Sequence, residues 1–150
     1  MKTIQKTRLL AVKGEQLLVI EKKDAIKRFT LAGGVKKRNE SLEESLVRET
    51  QEEIGLYLNA KTLAHVISKV KLKQNITTIK HHFVTTIKTN VFKVVETEKF
   101  KAVYWCYWED ALPYLDKEDK NAVKKYFKSK FKKKVKSKNY ESSIPPRIAM

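Results

Sequence analysis

The sequence predicts an α/β domain in which a mixed β-sheet lies between helices. Three observations lead there. The 150 residues suffice for one domain with two layers around a sheet. The apolar patterns run strand, strand, helix, several strands, helix, an order that excludes regular βαβ winding. Between the first pair of strands and the later ones, a helix carries both a start and a stop signal.

Taken in order, residues 8–12 form a short apolar run, Gly14 and Glu15 mark a turn, and residues 16–21 (QLLVIE) form a second run, together a β-hairpin. A polar loop over 22–28 leads to Phe29, Thr30, Leu31 and the pair Gly33 and Gly34, which can adopt backbone geometry denied to residues with a Cβ. Ser41 with Glu44 three residues later is a capping box, so a helix begins at Ser41. Leu42, Leu46, Thr50 and Ile54 recur at helical spacing and face the sheet, and Gly55 supplies the stop.

Residues 63–73 and 75–88 alternate aliphatic or β-branched residues with lysines and threonines and read as strands. Residues 91–95 predict a further strand, and 102–108 the last strong one. A helical turn over 109–115 is interrupted by Pro113. A helix follows from Lys117 or Glu118 to about Phe131, with Ala122, Val123, Tyr126 and Phe127 as its apolar stripe. From Lys132 the periodicity fails, which divides the chain into a domain over 1–131 and a basic C-terminal tail over 132–150. Pro145 and Pro146 forbid helix there, and residues 144–150 either end exposed or dock on the fold.

No apolar run approaches the roughly 20 residues that span a bilayer, and the first residues lack a hydrophobic signal core. The expectation is therefore a cytoplasmic protein without a membrane partner. The lone Cys106 excludes an internal disulfide and a thiolate cluster, and its place in VYWCYW reads as packing. The formal charge is +16, unevenly spread: acids crowd residues 40–53, whereas residues 124–138 hold nine lysines and no acid. Such a field draws in polyanions, nucleotides or nucleic acid, although a lysine-rich surface also serves solubility.

The most informative segment is residues 34–56, GVKKRNESLEESLVRETQEEIGL. On a helix, Glu49 lies beside Glu52 and Glu53, and Arg48 beside Glu52. Like charges at this spacing destabilise a helix by about 0.2–0.5 kcal/mol per pair, which a divalent cation would reverse. Hard oxygen ligands select Mg²⁺ or Mn²⁺ over softer metals. His81 and His82 are adjacent in a strand and point to opposite faces, so they cannot converge on one ion.

The fixed elements Gly34, Glu40, Arg48, Glu49, Glu52, Glu53 and Gly55 resemble the box of the Nudix (MutT-like) hydrolases, G-x5-E-x7-R-E-U-x-E-E-x-G-U with U a bulky apolar residue. Thr50 departs from the first U, whereas Leu56 meets the last. Ala32 stands where Pro often precedes the glycines, and Asn39 where Gly often precedes the first Glu. All the carboxylates are present.

The resemblance implies an α/β/α sandwich over most of the chain and a Mg²⁺-dependent pyrophosphohydrolase, with Mn²⁺ as a substitute. The substrate it implies is a nucleoside diphosphate linked to another group, X, such as a nucleoside triphosphate or ADP-ribose. It places the metal on Gly33, Glu49, Glu52 and Glu53. Arg48 would orient Glu52, and Glu40 would anchor the loop or a second ion. In many relatives the general base is another carboxylate ahead of a late strand, here Glu98, with Glu96 and Glu49 as alternatives. Arg28 and Lys36 flank the site and could hold phosphate oxygens. Phe29, Tyr57, Trp105 and Tyr107 could stack a base, though aromatics in a domain of this size are first of all core. Two other readings stay open: a nucleotide- or RNA-binding module on the same fold, and an RNA 5′-end pyrophosphohydrolase recruited by the basic tail. The chain would act as a monomer or homodimer.

Overall fold

The computed structural model describes residues 2–141, with side chains described through residue 130. Six strands and three α-helices follow the order β1 (Lys2–Lys13), β2 (Gln16–Lys22), β3 (Phe29–Thr30), α1 (Leu42–Ile54), β4 (Ala64–Lys73), β5 (Ile76–Thr86), β6 (Phe100–Tyr107), α2 (Trp108–Ala111) and α3 (Lys117–Glu141). The sheet runs β3-β2-β1-β5-β4, with β6 on β2. It is mixed, because β1 and β5 pair in parallel from Lys2↔Ile76 to Val12↔Thr86 while the other pairings are antiparallel.

Period-two alternation distributes the core over two faces. Leu9, Ala11, Leu18, Ile20 and Phe83 pack with Leu46 and Ile54 of α1. Their neighbours Leu10, Val12, Leu17, Val19 and Val84 pack with Ala122, Val123 and Phe127 of α3. Trp108 stacks flat on Phe127, ring centroids 5.1 Å apart. The result is the helix, sheet, helix sandwich expected, with α1 and α3 on opposite faces.

One irregularity positions everything that follows. β2 pairs with β1 only at Val12↔Leu17 and Lys13↔Gln16 and then diverges toward β6 and β3. The vacated edge of β1 is taken by the glycine loop: the Thr7 and Leu9 amides donate to the Gly34 and Ala32 carbonyls (2.9 and 2.8 Å), and the Lys36 amide to that of Gln5 (2.8 Å). The split in the sheet is thus filled by residues 32–36, with the two glycines at its centre.

Three expectations are corrected. Residues 91–95 are not a strand, because two of their amides cap the end of α1: Lys93 N donates to Ile54 O (3.0 Å) and Val95 N to Glu53 O (2.9 Å). A helix end leaves carbonyls without intrahelical partners, and these amides satisfy two of them. β1 starts at Lys2 instead of residue 8, its polar first half held by β5. α3 continues past Phe131 through Glu141, since lysine is a good helix former and neither Gly nor Pro interrupts it there. Pro145, Pro146 and the expected docking of residues 144–150 lie outside the described residues. Among the described residues no helix is long and apolar enough to cross a membrane.

Candidate active site

The acidic helix forms as its signals dictate. Ser41 is the N-cap, its hydroxyl accepting from Glu44 N (3.0 Å) while Glu44 Oε1 accepts from Ser41 N (2.7 Å). Gly55 ends the helix in the left-handed region, φ 64°. Leu46, Thr50 and Ile54 are buried against the sheet, which turns the ridge of Glu49 and Glu53 toward the sheet's split.

That ridge closes on the glycine pair. Glu53 Oε1 accepts from the Gly33 amide at 2.8 Å. At Gly33, φ is 143° and an added Cβ would run into the Thr7 carbonyl and approach Arg8 Cα. At Gly34 a Cβ would meet the Glu49 carboxylate, with both oxygens within 2.7 Å of it. Two carboxylates and two glycines therefore share one small volume. No amide among the described residues donates to the Gly33 carbonyl. Asn39, in the loop's descent to α1, has φ 66°, a region Asn tolerates better than most residues, which explains a preference for Gly at that place.

Arg48 locks the outer side. Nη2 and Nε donate to the two oxygens of Glu40 (2.8 and 3.1 Å), Nη1 to Glu49 (2.9 Å) and more distantly to Glu52 (3.4 Å), and Nη2 also to Val35 O (3.2 Å). The fork is thus spent on Glu40 and Glu49; Glu52, the partner expected of it, is its longest contact and is 50% exposed. Glu40 does anchor the loop, since Oε1 also accepts from Lys37 N (2.6 Å). The bidentate Arg48 bond, opposed by burial and helped by Lys37, holds the Glu40 carboxyl at about 2. Glu53 goes the other way. Burial pushes it up to about 7 against the Gly33 amide, with Glu49 and Glu96 raising it further and Arg8 pulling it down.

Such a set fits a hard divalent cation in chemistry: two carboxylates, one of them raised chiefly by burial, beside a carbonyl to which no described amide donates. It is not a closed cage. Among the described residues no three His, Cys, Asp or Glu side chains converge on one point. Glu49, Glu53 and Gly33 stand together, and Glu52 faces Arg48 and solvent.

The remaining candidates separate. Glu98 is exposed in the turn before β6, whereas Glu96 is half-buried, pairs with Lys99 (3.6 Å) and lies close enough for its charge to act on Glu53. In the turn, both Lys99 N and Phe100 N donate to Glu96 O. Phe29 is 5% exposed and packs edge-on against Tyr104, the core role also open to it in the sequence. Arg28, exposed and paired with Asp24, and Phe29 line a cavity of about 380 Å³ on the α3 side. Lys36 sits on the glycine loop, its Nζ on the Lys37 carbonyl (3.3 Å). Tyr57 is exposed. Trp105 bonds Asn90 (2.8 Å) and Tyr107 bonds Glu109 (3.0 Å). Cys106 is half-buried within β6, and burial pushes its thiol up.

The histidines face apart, as expected. His81 lies on the α1 face between Ser68 (2.6 Å) and Gln5 (2.9 Å). His82 is 1% exposed, with Nε2 2.7 Å from Asp119 Oδ1 and Nδ1 unpartnered. It lines a second cavity of about 400 Å³ with Ile67, Lys69, Lys71, Asp116 and Lys117, on the face opposite α1. Asp116 lines both cavities. Burial opposes ionisation of Asp116, but the Asp119 amide, Lys80 and Arg8 hold its carboxyl below the usual range.

Arg8, Lys80, Asp116 and Asp119 escape sequence reading. For Arg8 a signal existed: it opens the apolar run of residues 8–12 in the phase that carries Leu10 and Val12 into the α3-side core.

The NUDIX domain profile matches residues 5–127. No match is found among curated protein sequences. Among solved structures, the chain is similar to the E. coli ORF135 protein (22% identity, 85% of this chain and 90% of that one, TM-score 0.71). It is also similar to a MutT NUDIX hydrolase from Burkholderia pseudomallei (19%, 83% and 98%, TM-score 0.71). A third likeness is to an Ap4A hydrolase from C. elegans (14%, 82% and 94%, TM-score 0.59). With the box assembled around the split in a mixed sheet, and the domain profile matched over most of its length, this chain belongs to the Nudix family.

Proposed function

We propose that this enzyme hydrolyses, with Mg²⁺ or Mn²⁺, a diphosphate linkage in a nucleoside diphosphate bearing a further group. The observation that carries the reading is the juxtaposition of Glu49 and Glu53 on Gly34 and Gly33 at the split of the sheet. A divalent ion held by Glu49, Glu53 and the Gly33 carbonyl, with Glu52 as a further donor, would neutralise the diphosphate and acidify a water.

The chain's own residues do the rest. The Gly33 amide fixes the Glu53 carboxylate, and Arg48 fixes Glu49 by a charge-assisted bond, so neither must search for its position. The attacking water gives its proton to a carboxylate. Placement favours Glu96 over Glu98 for that role, with Glu49 as the alternative inside the helix. The α3-side cavity, about 400 Å³ and lined by Lys69, Lys71 and Lys117 together with Asp116 and Glu118, is of the size that takes a nucleoside half.

Incubating the protein and Mg²⁺ or Mn²⁺ with nucleoside triphosphates, ADP-ribose, dinucleoside polyphosphates and triphosphorylated or capped RNA tests the reading. Cleavage of a P–O–P bond in at least one class is expected, and the products report which phosphorus is attacked. If every class survives with either metal, the reading fails for them.

A further inference from the structure

We propose that Arg8 is a phosphate-binding residue of this enzyme, gripping the diphosphate where the split in the sheet joins the acidic cluster to the α3-side cavities. This rests on the hydrolase reading above and adds a residue that lies outside the box.

The position follows from strand phase. Thr7 and Leu9 face α1, so Arg8 faces α3, alongside Leu10 and Val12. Unlike those neighbours it is only half-buried. Its Nη1 donates to the Thr7 carbonyl at 2.8 Å, the same carbonyl against which Gly33 packs. The guanidinium is thereby tied to the backbone directly beside the glycine whose amide holds Glu53. Across the sheet Arg8 is in register with His82 of β5, which lines the cavity of about 400 Å³, and its charge acts on Asp116, which lines both cavities. Arg8 therefore stands on the path between the acids and the space available to the organic half of a substrate.

What it has left to bind decides its role. A guanidinium offers five N–H donors in a fixed fork. Arg48 directs its fork to three carboxylates and a carbonyl. Lys80, the other cation deep on the α3 face, is taken by Glu118 (2.9 Å) and Asp116 (3.5 Å). Arg8 makes one described hydrogen bond and no ion pair within 4.0 Å among the described residues. A half-buried guanidinium with free N–H groups beside a backbone loop matches the bidentate geometry of a phosphate, and partial desolvation strengthens that contact.

The test titrates inorganic pyrophosphate and ADP into the full-length protein in chelator without metal, read by calorimetry. Wild type should bind both, Arg8→Met should lose at least about tenfold in affinity, and Arg8→Lys should fall between, keeping charge without the fork. With a cleaved substrate, Arg8→Met should raise KM more than it lowers kcat. Independently of any variant, pyrophosphate should protect Arg8 of the wild type from a guanidine-modifying dicarbonyl, located by mass spectrometry. Unchanged pyrophosphate affinity in Arg8→Met, absence of metal-free binding by wild type, or absence of protection would each overturn the assignment. Arg8-dependent binding without hydrolysis of any panel substrate would leave the anion site standing and remove the hydrolase reading instead.

Discussion

Arg48 and Arg8 lie on either side of the same pair of glycines and are used in opposite ways. Arg48, on α1, is saturated by acids from its own helix and its lead-in: Glu40, Glu49 and Glu52. Arg8, on β1, meets carboxylates from distant segments, Glu53 and Asp116, only through space, and its fork is mostly unspent. A saturated guanidinium sets geometry, whereas an unsaturated one is available to a ligand. The α1 side of the split is thus a rigid scaffold of local pairs, and the α3 side is an open surface with charge in reserve.

Breaking the acidic side should have the largest effect. Glu53→Gln or Glu52→Gln should lower kcat by about 10²–10⁴-fold while leaving the melting temperature unchanged or, for Glu53→Gln, higher. Near-wild-type turnover in either would move the chemistry elsewhere. Next comes Gly33→Ala, which must place a methyl against the Thr7 carbonyl at φ 143°. A loss of about 3 kcal/mol or more in urea unfolding is expected, and a loss below about 1 kcal/mol would mean that the loop has another place to go.

A pH series on metal-free protein sharpens the same contrast. The Glu53 carboxyl is raised from 4.5 to about 7 in the folded chain. A raised acid favours folding fully below its unfolded value, and that advantage is lost as pH rises through the folded one. Stability should therefore fall between about pH 4.5 and 7, by up to about 3 kcal/mol. Glu53→Gln should flatten this decline, and Mg²⁺ should offset it at the alkaline end. A wild-type profile that rises over this range would contradict the assignment.

Two smaller effects complete the comparison. Ser41→Ala removes the N-cap and should cost about 1 kcal/mol by denaturant titration, with KM unchanged. Between the two candidate bases, Glu96→Gln should reduce kcat and shift its pH profile, whereas exposed Glu98→Gln should stay within about twofold of wild type. The reverse ranking would restore Glu98.

The sandwich was readable because its elements are periodic, and the acidic helix because its cap, stop and inward face are all local. Where reading failed, a distant partner had intervened. Residues 91–95 alternate like a strand, yet their amides go to the carbonyls at the end of α1. Glu96 and Glu98 are indistinguishable by spacing, and one turn separates them.

By itself, then, the sequence determined the family, the mixed sheet between helices and the identity of the carboxylates on α1, because capping, 3.6-residue periodicity and i, i+4 proximity act within one segment. Only the tertiary structure decided that Arg48 grips Glu40 in preference to Glu52, that burial raises Glu53, and that Arg8 sits in register with His82, which lines the cavity on the α3 side. Those outcomes depend on where β2 leaves β1 and on which side chains enter the gap. Strand divergence brings together residues far apart in the chain, and no local pattern records which of them will meet.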